Sequence, residues 1–309
     1  MSYSVLVTGG AGFIGSHLAS KLVSEGMRVV VIDDLSTGFR DYIHPEVLFY
    51  EQSILSSDLE SLFRENCFDY VFHLAAQKSV PKSIKDPFAD AQTNIMGSIR
   101  LLDCCSEYQV KKVIYSSTGG AIYGNAKNLP VTEKTPASPL SAYAISKATI
   151  EEYLRFYYQY RGLPYLSLRY SNVYGPRQDY RGEGGVIAIF MKQLLMGEEI
   201  NIYGDGEQTR DFVFVQDIVD SNLKALSSNY IGEVNISSAC EISINQLVEK
   251  MSLVLGKRNK VNYLPPIPGD VYRSCLDNTL AEEKLGWKVK IGIESGLERT
   301  KEWIELSLK

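Results

Sequence analysis

The chain has 309 residues, which is enough for one large α/β unit or for a principal domain with a smaller partner. Hydrophobic residues at 45% and charged residues at 22% are ordinary for a globular protein in water. The formal net charge of -5, with Lys and Arg scattered along the chain, argues against a basic surface for nucleic acid or an anionic membrane.

Other features of the sequence exclude further classes of protein. An apolar strand begins at Val5, which leaves no room for a signal peptide. No apolar run approaches the ~20 residues that a transmembrane helix needs. The 5 cysteines show neither metal-ligand spacing nor a disulfide framework, so we expect no metal site and a reduced, cytoplasmic setting.

A glycine-rich turn follows the first strand. Residues 5–8 run directly into Gly9-Gly10-Ala11-Gly12-Phe13-Ile14-Gly15, and apolar residues at helical spacing come next. Strand, glycine turn and helix in that order are the context of a dinucleotide-binding fingerprint, here spaced G-x-x-G-x-x-G. Glycines let the backbone turn tightly and approach a pyrophosphate, whose charge meets the helix N-terminus. The pattern predicts that Gly9, Gly12, Phe13, Ile14 and Gly15 line a dinucleotide site.

The second strand, 28–32, ends at Asp33. This position lies about twenty residues past the glycines, where an acidic side chain accepts hydrogen bonds from the adenosine ribose. A carboxylate there repels a 2′-phosphate, which favours NAD over NADP.

Strands 47–50 and 70–76 follow, with a helix predicted over 55–66 between them. Small residues at the end of the fourth strand, including Ala75, allow close backbone approach to a ligand. We interpret His73 in the same strand as a buried structural histidine. Lys78 follows this strand, at a position where its side chain either reaches the cofactor's ribose or faces solvent. A long helix is then predicted over 86–108.

A fifth strand, 113–116, enters a turn that begins with Ser117 and Thr118. Hydroxyls at the end of a central strand are well placed to hydrogen-bond a substrate oxygen, although Ser and Gly are also ordinary turn residues.

The next helix carries Tyr143 and Lys147, with Ser141 available as its N-cap. Tyr143 and Lys147 lie one helical turn apart on the same face, and an ammonium near a phenol lowers the pKa of the phenol. The pair predicts a general acid or base near neutral pH. On its own, Tyr-x-x-x-Lys is a weak signal, because both residues are common on amphipathic helices.

Strands and helices alternate through a sixth strand, 165–170, which predicts an α/β fold with a doubly wound, parallel Rossmann-type sheet. From about Tyr174 the alternation breaks, and we predict a smaller C-terminal α/β substrate domain. Residues 1–172 would form the NAD-binding domain, with about 212–237 returning to it. Residues 173–211 and 238–309 would form the substrate domain.

These features together resemble the extended short-chain dehydrogenase/reductase family, and within it the UDP-glucose 4-epimerase-like nucleotide-sugar enzymes. The resemblance covers essentially the whole chain. It is carried by Thr8-Gly9-Gly10-Ala11-Gly12-Phe13-Ile14-Gly15, Asp33-Asp34-Leu35, His73-Leu74-Ala75-Ala76-Gln77, Ser116-Ser117-Thr118-Gly119-Gly120-Ala121-Ile122-Tyr123-Gly124, the Tyr143/Lys147 pair, Asn172-Val173-Tyr174-Gly175-Pro176, Tyr203-Gly204-Asp205-Gly206 with Arg210-Asp211, and Pro268-Gly269-Asp270-Val271.

The resemblance implies 4-epimerisation of a UDP-hexose with a retained NAD, through a transient 4-keto sugar. Lys147 would hold the nicotinamide ribose and lower the pKa of Tyr143, which would act as the base. Thr118 or Ser117 would hydrogen-bond the reacting oxygen, and we favour Thr118. The resemblance also places Ala75, Lys78, Asn94 and Tyr170 beside the cofactor.

For the substrate, the resemblance implies that Asn172 and Arg210 contact the diphosphate. Tyr203 would stack near the uracil, and Asp270 would bind the nucleotide ribose. UDP-glucose and UDP-galactose are the expected sugars.

Two positions depart from the pattern. Many relatives carry an Arg where this chain has Ile267, so either Arg273 substitutes for it or the diphosphate is held more weakly. A bulky Tyr of some relatives is replaced by Ser274, which opens room for the N-acetyl group of UDP-GlcNAc or UDP-GalNAc.

Related enzymes with the same fold catalyse other reactions, and each reaction requires particular side chains in the site. Gly119 and Gly120 replace the acid and base that a 4,6-dehydratase requires. A UDP-uronate 4-epimerase or decarboxylase needs a cationic pocket, which Arg177 and Arg181 can contribute. A non-catalytic NAD-binding regulator has no use for the Tyr143/Lys147 pair.

Two long helices, 86–108 and 143–161, predict an interface, because the second is rich in aromatic residues. Relatives dimerise by pairing these helices into a four-helix bundle, so a homodimer is expected here.

Overall fold

The computed structural model describes residues 3–181, 185–258, 260–266 and 271–308. In chain order, the first part of the chain forms β1 (Ser4–Thr8), α1 (Phe13–Ser24), β2 (Arg28–Asp33), β3 (Leu48–Glu51), α2 (Leu59–Asn66), β4 (Tyr70–His73), α3 (Val80–Lys85), α4 (Pro87–Ala91), α5 (Gly97–Glu107), β5 (Lys112–Thr118), α6 (Gly119–Ile122), α7 (Ala142–Arg161) and β6 (Tyr165–Tyr170). The second part forms β7 (Asn172–Tyr174), α8 (Val186–Met196), β8 (Ile200–Tyr203), β9 (Thr209–Phe214), α9 (Val215–Ser227), β10 (Gly232–Ile236), β11 (Glu241–Ser243), α10 (Ile244–Leu255), β12 (Val261–Leu264), α11 (Thr279–Leu285) and α12 (Ile293–Ser307).

Seven strands form one sheet in the order β10-β6-β5-β4-β1-β2-β3, and every neighbouring pair is parallel. The order reverses between β1 and β4, so the crevice at their carboxyl ends is where such sheets bind ligands. Helices cover both faces, and the buried β-branched residues of β1 and β2 reflect that double coverage. The predicted α/β, doubly wound parallel sheet is confirmed.

The C-terminal part adds a three-stranded sheet, β11-β9-β7, and a two-stranded sheet, β12-β8. Its core lies mainly among α8, α10 and α12. Strand β10 extends the main sheet beside β6, and α9 packs on α1, whereas β9 pairs with β7 and β11. The division into an NAD-binding and a substrate domain stays a prediction.

The structure differs from the sequence predictions in several places. The fourth strand, predicted over 70–76, ends at His73, and the turn predicted after Thr118 is the short helix α6. The fifth strand continues through Thr118, so Ser117 and Thr118 belong to β5 rather than to a turn. The helix predicted from residue 55 begins at Leu59. The long helix over 86–108 is interrupted by a π-helical turn, Gln92–Met96. Helix α3 was not predicted, because its six residues include a proline and show no clear period.

In the described part of the chain, no helix combines the length and the apolar character needed to cross a bilayer.

Candidate active site

The glycine turn is packed so tightly that side chains cannot replace Gly9 or Gly15. Gly9 has a φ of 71°, and a Cβ there would lie 2.7 Å from the Ala75 nitrogen. A Cβ on Gly15 would lie 2.2 Å from the Gly9 carbonyl oxygen. Gly12 is the N-cap of α1 and brings no side chain to the first amides of that helix. Backbone N–H groups of Phe13, Ile14 and Gly15 are therefore available to a phosphate, and their contact with a dinucleotide stays a prediction.

Asp33 lies beside this turn at the carboxyl end of β2. Its Oδ2 accepts a hydrogen bond from the Ala11 amide at 2.9 Å, and its Oδ1 accepts one from the Leu35 amide at 2.9 Å. Burial raises the pKa of Asp33, and these two hydrogen bonds oppose that shift. Each carboxylate oxygen keeps a further acceptor site, which fits a ribose hydroxyl and opposes a 2′-phosphate.

Asn94 holds the loop that follows β4 instead of facing solvent. Its Oδ1 accepts from the Gln77 amide at 2.8 Å, and its Nδ2 donates to the Gln77 carbonyl at 2.9 Å. The π-helical turn contains Asn94, and such turns are frequent at functional sites. These contacts occupy the Asn94 amide and fix the loop that contains Ala75. Lys78, in the same loop, is exposed.

Tyr170 ends β6 beside Thr118 of β5, and its hydroxyl already has two partners in the protein. Its hydroxyl accepts a hydrogen bond from Asn222 Nδ2 at 2.8 Å and is bonded to the Ser116 side chain. The ring is buried in the core between the main sheet and α9. We therefore leave Tyr170 out of the proposed cofactor contacts.

His73 is the buried structural histidine that the sequence predicts. Its two ring nitrogens are each 2.8 Å from a hydroxyl oxygen, of Thr8 and of Ser98. Burial lowers the pKa of His73 to about 3, so the imidazole is neutral.

Tyr143 and Lys147 lie on α7, which begins as predicted with Ser141 as N-cap. The Ser141 hydroxyl oxygen accepts from the Ala144 amide at 3.2 Å. The Tyr143 phenol is hydrogen-bonded to the Thr118 side chain. Lys147 Nζ donates to the Ser116 carbonyl at 2.8 Å and lies 5.9 Å from the centre of the Tyr143 ring. Acid–base group, hydroxyl and ammonium therefore meet at the carboxyl end of β5.

The predicted lowering of the Tyr143 pKa is wrong for the protein by itself. Burial of the phenol, together with a nearby carboxylate of Asp90, raises the Tyr143 pKa to about 12, and the Thr118 hydrogen bond only partly opposes the rise. Burial also lowers the pKa of Lys147 to about 8. The spacing of Tyr143 and Lys147 correctly placed both side chains on one face of α7, but it did not indicate how strongly burial desolvates the phenol and the ammonium.

Ser117 faces the opposite side of β5 from Thr118, as alternate strand residues do. Its hydroxyl donates to Glu151 Oε1 at 2.7 Å, and Glu151 also binds Ser167 and Arg169. This buried network occupies Ser117, so the geometry favours Thr118 as the substrate-facing hydroxyl. Glu151 lies one helical turn beyond Lys147 on α7. It was not identified from the sequence, although this spacing places it on the same face of the helix.

On the substrate side, Asn172 and Arg210 lie on paired strands. Asn172 of β7 is opposite Phe212 of β9, two residues from Arg210. The buried Asn172 Oδ1 has no hydrogen-bond partner among the described residues, and a Cβ on Gly120 would lie 3.6 Å from it. This oxygen therefore points toward the turn that follows Thr118. Arg210 Nη1 donates to the Thr209 carbonyl at 2.8 Å.

The remaining predicted substrate residues divide into three groups. Tyr203 is 49% exposed at the end of β8, which leaves its ring open for stacking, and Ser274 is buried. Arg273 forms a two-pronged ion pair with Glu241, at 3.0 Å and 2.5 Å, so its guanidinium has a partner other than phosphate. Asp270 and Ile267 lie outside the described residues.

Arg177 and Arg181, considered for a uronate carboxylate, reach the loop after β2 instead. The Arg177 guanidinium lies 5.5 Å from the Tyr42 ring centre, and that of Arg181 lies 4.9 Å from the Phe39 ring centre. Arg181 also pairs with Asp179 at 3.2 Å. Within the described ranges, no group of three or more His, Cys, Asp or Glu side chains is arranged to hold a metal ion.

Comparison with known proteins decides the family. The NAD dependent epimerase/dehydratase family matches residues 5–237, which include the glycine turn, Asp33, Thr118, Tyr143 and Lys147. The chain belongs to this family.

Three solved structures are similar along almost the entire chain. UDP-glucose 4-epimerase from Thermotoga maritima, solved with UDP-glucose, is 47% identical with a TM-score of 0.98, covering 99% of this chain and 100% of that one. UDP-glucose 4-epimerase from Thermus thermophilus, in complex with NAD, is 39% identical with a TM-score of 0.93, covering 98% of this chain and 99% of that one. UDP-N-acetylglucosamine 4-epimerase from Methanobrevibacter ruminantium, in complex with UDP-N-acetylmuramic acid, is 38% identical with a TM-score of 0.95, covering 99% of each chain. The chain is an NAD-dependent epimerase similar to UDP-glucose 4-epimerases.

Proposed function

We propose that this protein interconverts a UDP-hexose and its C4 epimer with a retained NAD, and that UDP-glucose and UDP-galactose are its principal pair. The observation that carries the proposal is the hydrogen bond between Thr118 and Tyr143, with Lys147 on the same helix face. These groups lie at the edge of the sheet that also carries the glycine turn and Asp33.

The cofactor fits the residues present. The glycine turn leaves a cradle that a Cβ would fill, and Asp33 lies next to it with acceptor sites left over. When bound, NAD supplies the acceptor for the C4 hydride and a positive charge that favours the phenolate of Tyr143.

The residues of this chain then carry the proton chemistry. Tyr143 takes the proton of the sugar's C4 hydroxyl, and the Thr118 hydroxyl orders that transfer because it contacts the phenol. Lys147 stays fixed by the Ser116 carbonyl, within reach of a nicotinamide ribose. After the 4-keto sugar turns over in the pocket and takes the same hydride back on its other face, Tyr143 returns the proton, so no net oxidation occurs.

The nucleotide must tether the sugar while it turns. We assign this role to Asn172, whose buried oxygen lies near Gly120 of α6, and to Arg210 on the neighbouring strand. Tyr203 would stack on the uracil. Arg273 is left out, because its Nε and Nη2 already donate to the Glu241 carboxylate.

UDP-GlcNAc is the second candidate substrate, and Ser274 is the observation that favours it. The side chain is buried and small, so it leaves room at that position for an acetamido group. A uronate is less well supported, because Arg177 and Arg181 stack on Tyr42 and Phe39.

We also propose a homodimer through the surface formed by α3 to α5 and α7. These helices pack on one another and expose large apolar side chains, among them Ile84 (65%), Phe88 (77%), Met96 (55%), Ile145 (51%) and Tyr160 (74%). Phe88→Asp should halve the mass measured by sedimentation equilibrium. Leu253→Asp, on the equally exposed face of α10, is the matched control and should leave the mass unchanged.

The deciding experiment incubates purified protein with UDP-glucose, UDP-GlcNAc and UDP-glucuronate separately, each with and without added NAD, and resolves the products. We expect the 4-epimer of UDP-glucose without added cofactor. If no sugar is epimerised while NAD remains bound, the epimerase proposal fails and a non-catalytic regulator is favoured.

A further inference from the structure

Asp90 is a buried carboxylate that the mechanism above does not use. It lies on α4 and is 1% exposed. Its Oδ1 accepts from Gln77 Nε2 at 2.8 Å and from Asn94 Nδ2 at 3.0 Å, and its Oδ2 accepts from the Ser146 hydroxyl at 2.7 Å. All three partners are donors, which is the arrangement that a buried carboxylate requires.

The three hydrogen bonds join three parts of the active site. Gln77 belongs to the loop that follows β4, two residues past Ala75. Asn94 lies in the π-helical turn and binds the Gln77 backbone as well. Ser146 lies on α7 between Tyr143 and Lys147. Asp90 is therefore the point at which the predicted cofactor loop is attached to the helix with the acid–base pair.

Asp90 also places a charge next to that pair. Its carboxylate contributes to the raised pKa of Tyr143 and opposes the lowering of the Lys147 pKa by burial. The other titratable groups that face the pair are His73 on β4, Tyr115 on β5 and Glu151 on α7. His73 and Tyr115 are buried in neutral form, and Glu151 is paired with Arg169. Asp90 is thus the carboxylate near the pair that has no cationic hydrogen-bond partner among the described residues.

We propose that Asp90 is a positioning residue with two separable effects: its hydrogen bonds fix the cofactor loop to the catalytic helix, and through its contact with Ser146 it places a negative charge beside the Tyr143/Lys147 pair. This inference rests on the proposed function for its catalytic part. In the resting enzyme, the phenol then stays neutral until a cationic ring and a substrate hydroxyl are both in place.

Two substitutions separate the effects. Asp90→Asn removes the charge but can keep all three hydrogen bonds, because the amide oxygen accepts from Gln77 and Asn94 while its NH₂ donates to Ser146. Asp90→Ala removes both the charge and the bonds. Asp86→Asn is the matched control, since Asp86 is an exposed N-cap on the same helix.

The first measurement is the pH dependence of kcat with UDP-glucose. Asp90→Asn should move the ascending limb, on which Tyr143 loses its proton, to lower pH by about one unit, the size expected of one buried charge nearby. Asp86→Asn should leave the limb in place. An unmoved limb in Asp90→Asn would overturn the electrostatic part.

The second measurement is the calorimetric affinity for NAD after the retained cofactor has been removed, which needs no turnover. Asp90→Ala should bind NAD on the order of tenfold more weakly, whereas Asp90→Asn should stay close to wild type. Wild-type affinity in a folded Asp90→Ala protein would overturn the anchoring part. If the wild-type enzyme makes no 4-epimer, the proposed function fails separately. The charge effect is then measured by phenolate absorbance of the NAD complex, with Tyr143→Phe subtracted.

Discussion

Replacing Glu151 with Gln should destabilise the protein more than any surface charge substitution on the same helix. Glu151 and Arg169 are 3% and 8% exposed, and they are joined at 2.6 Å. The Glu151 carboxylate receives further hydrogen bonds from Ser117 at 2.7 Å and Ser167 at 2.8 Å. Glutamine keeps one acceptor oxygen but turns an NH₂ toward donors, and it leaves the Arg169 charge buried without a counter-ion.

Breaking a buried ion pair by removing one partner costs about 3–5 kcal/mol. Because glutamine retains one acceptor, we expect a loss of about 3 kcal/mol in the free energy of unfolding. For a chain of this size that corresponds to a fall in Tm of about 6 °C.

The assay is urea unfolding followed by circular dichroism, with thermal melts at the same protein concentration. Glu152→Gln is the matched control, because Glu152 is the next residue, is exposed and pairs with Arg155 at 2.6 Å on the surface. Such pairs contribute about 0.5 kcal/mol. If the two variants differ by less than about 1 kcal/mol, the buried network does not stabilise the sheet as argued.

Three other predictions follow from the site. Tyr143→Phe should reduce kcat by at least about 10²-fold while NAD still co-purifies, because the acid–base group is lost and the cradle is not; near-wild-type turnover would place the base elsewhere. Gly15→Ala should abolish NAD binding in a calorimetric titration, because its Cβ would lie 2.2 Å from the Gly9 carbonyl oxygen. Gly26→Ala is the control: a Cβ there meets nothing within 4 Å, so this variant should bind NAD normally despite its strained φ. Equal NAD binding by the two variants would refute the packing argument. Burial lowers the pKa of His73 from 6.5 to about 3, so the contribution of neutral His73 to stability is complete above pH 6.5 and is lost as the pH falls toward 3. His73→Gln should therefore lose free energy of unfolding less steeply than the wild type between pH 6.5 and 4.5. Parallel plots of unfolding free energy against pH for the two proteins would contradict this.

Local patterns predicted most of the sheet. The apolar runs of β1, β2 and β4 are buried, so composition alone marks them. The glycine turn and the Ser141 cap are local signals too, and the structure contains both.

Relations between distant segments were not predictable in this way. Glu151 and Arg169 are brought together only when β6 lies beside β5 under α7, and Asp90 meets Ser146 across 56 residues. The direction of the Tyr143 pKa was missed for the same reason. Helical spacing indicates which residues share a face of the helix, but only tertiary packing determines how strongly the side chains on that face are desolvated.

The pairing of β10 with β6 has a consequence for how this protein can be divided. Residues 1–172 contain the predicted cofactor contacts, yet the strand that covers the outer edge of β6 is supplied by residues 232–236. A fragment that stopped at residue 172 would leave β6 with its backbone N–H and C=O groups unpaired along a sheet edge whose side chains are buried. Such a piece is a template for aggregation rather than a transferable nucleotide-binding module. During synthesis the same edge stays open until about sixty further residues have left the ribosome, so the sheet closes only after 173–211, the first segment predicted to bind substrate, has been made.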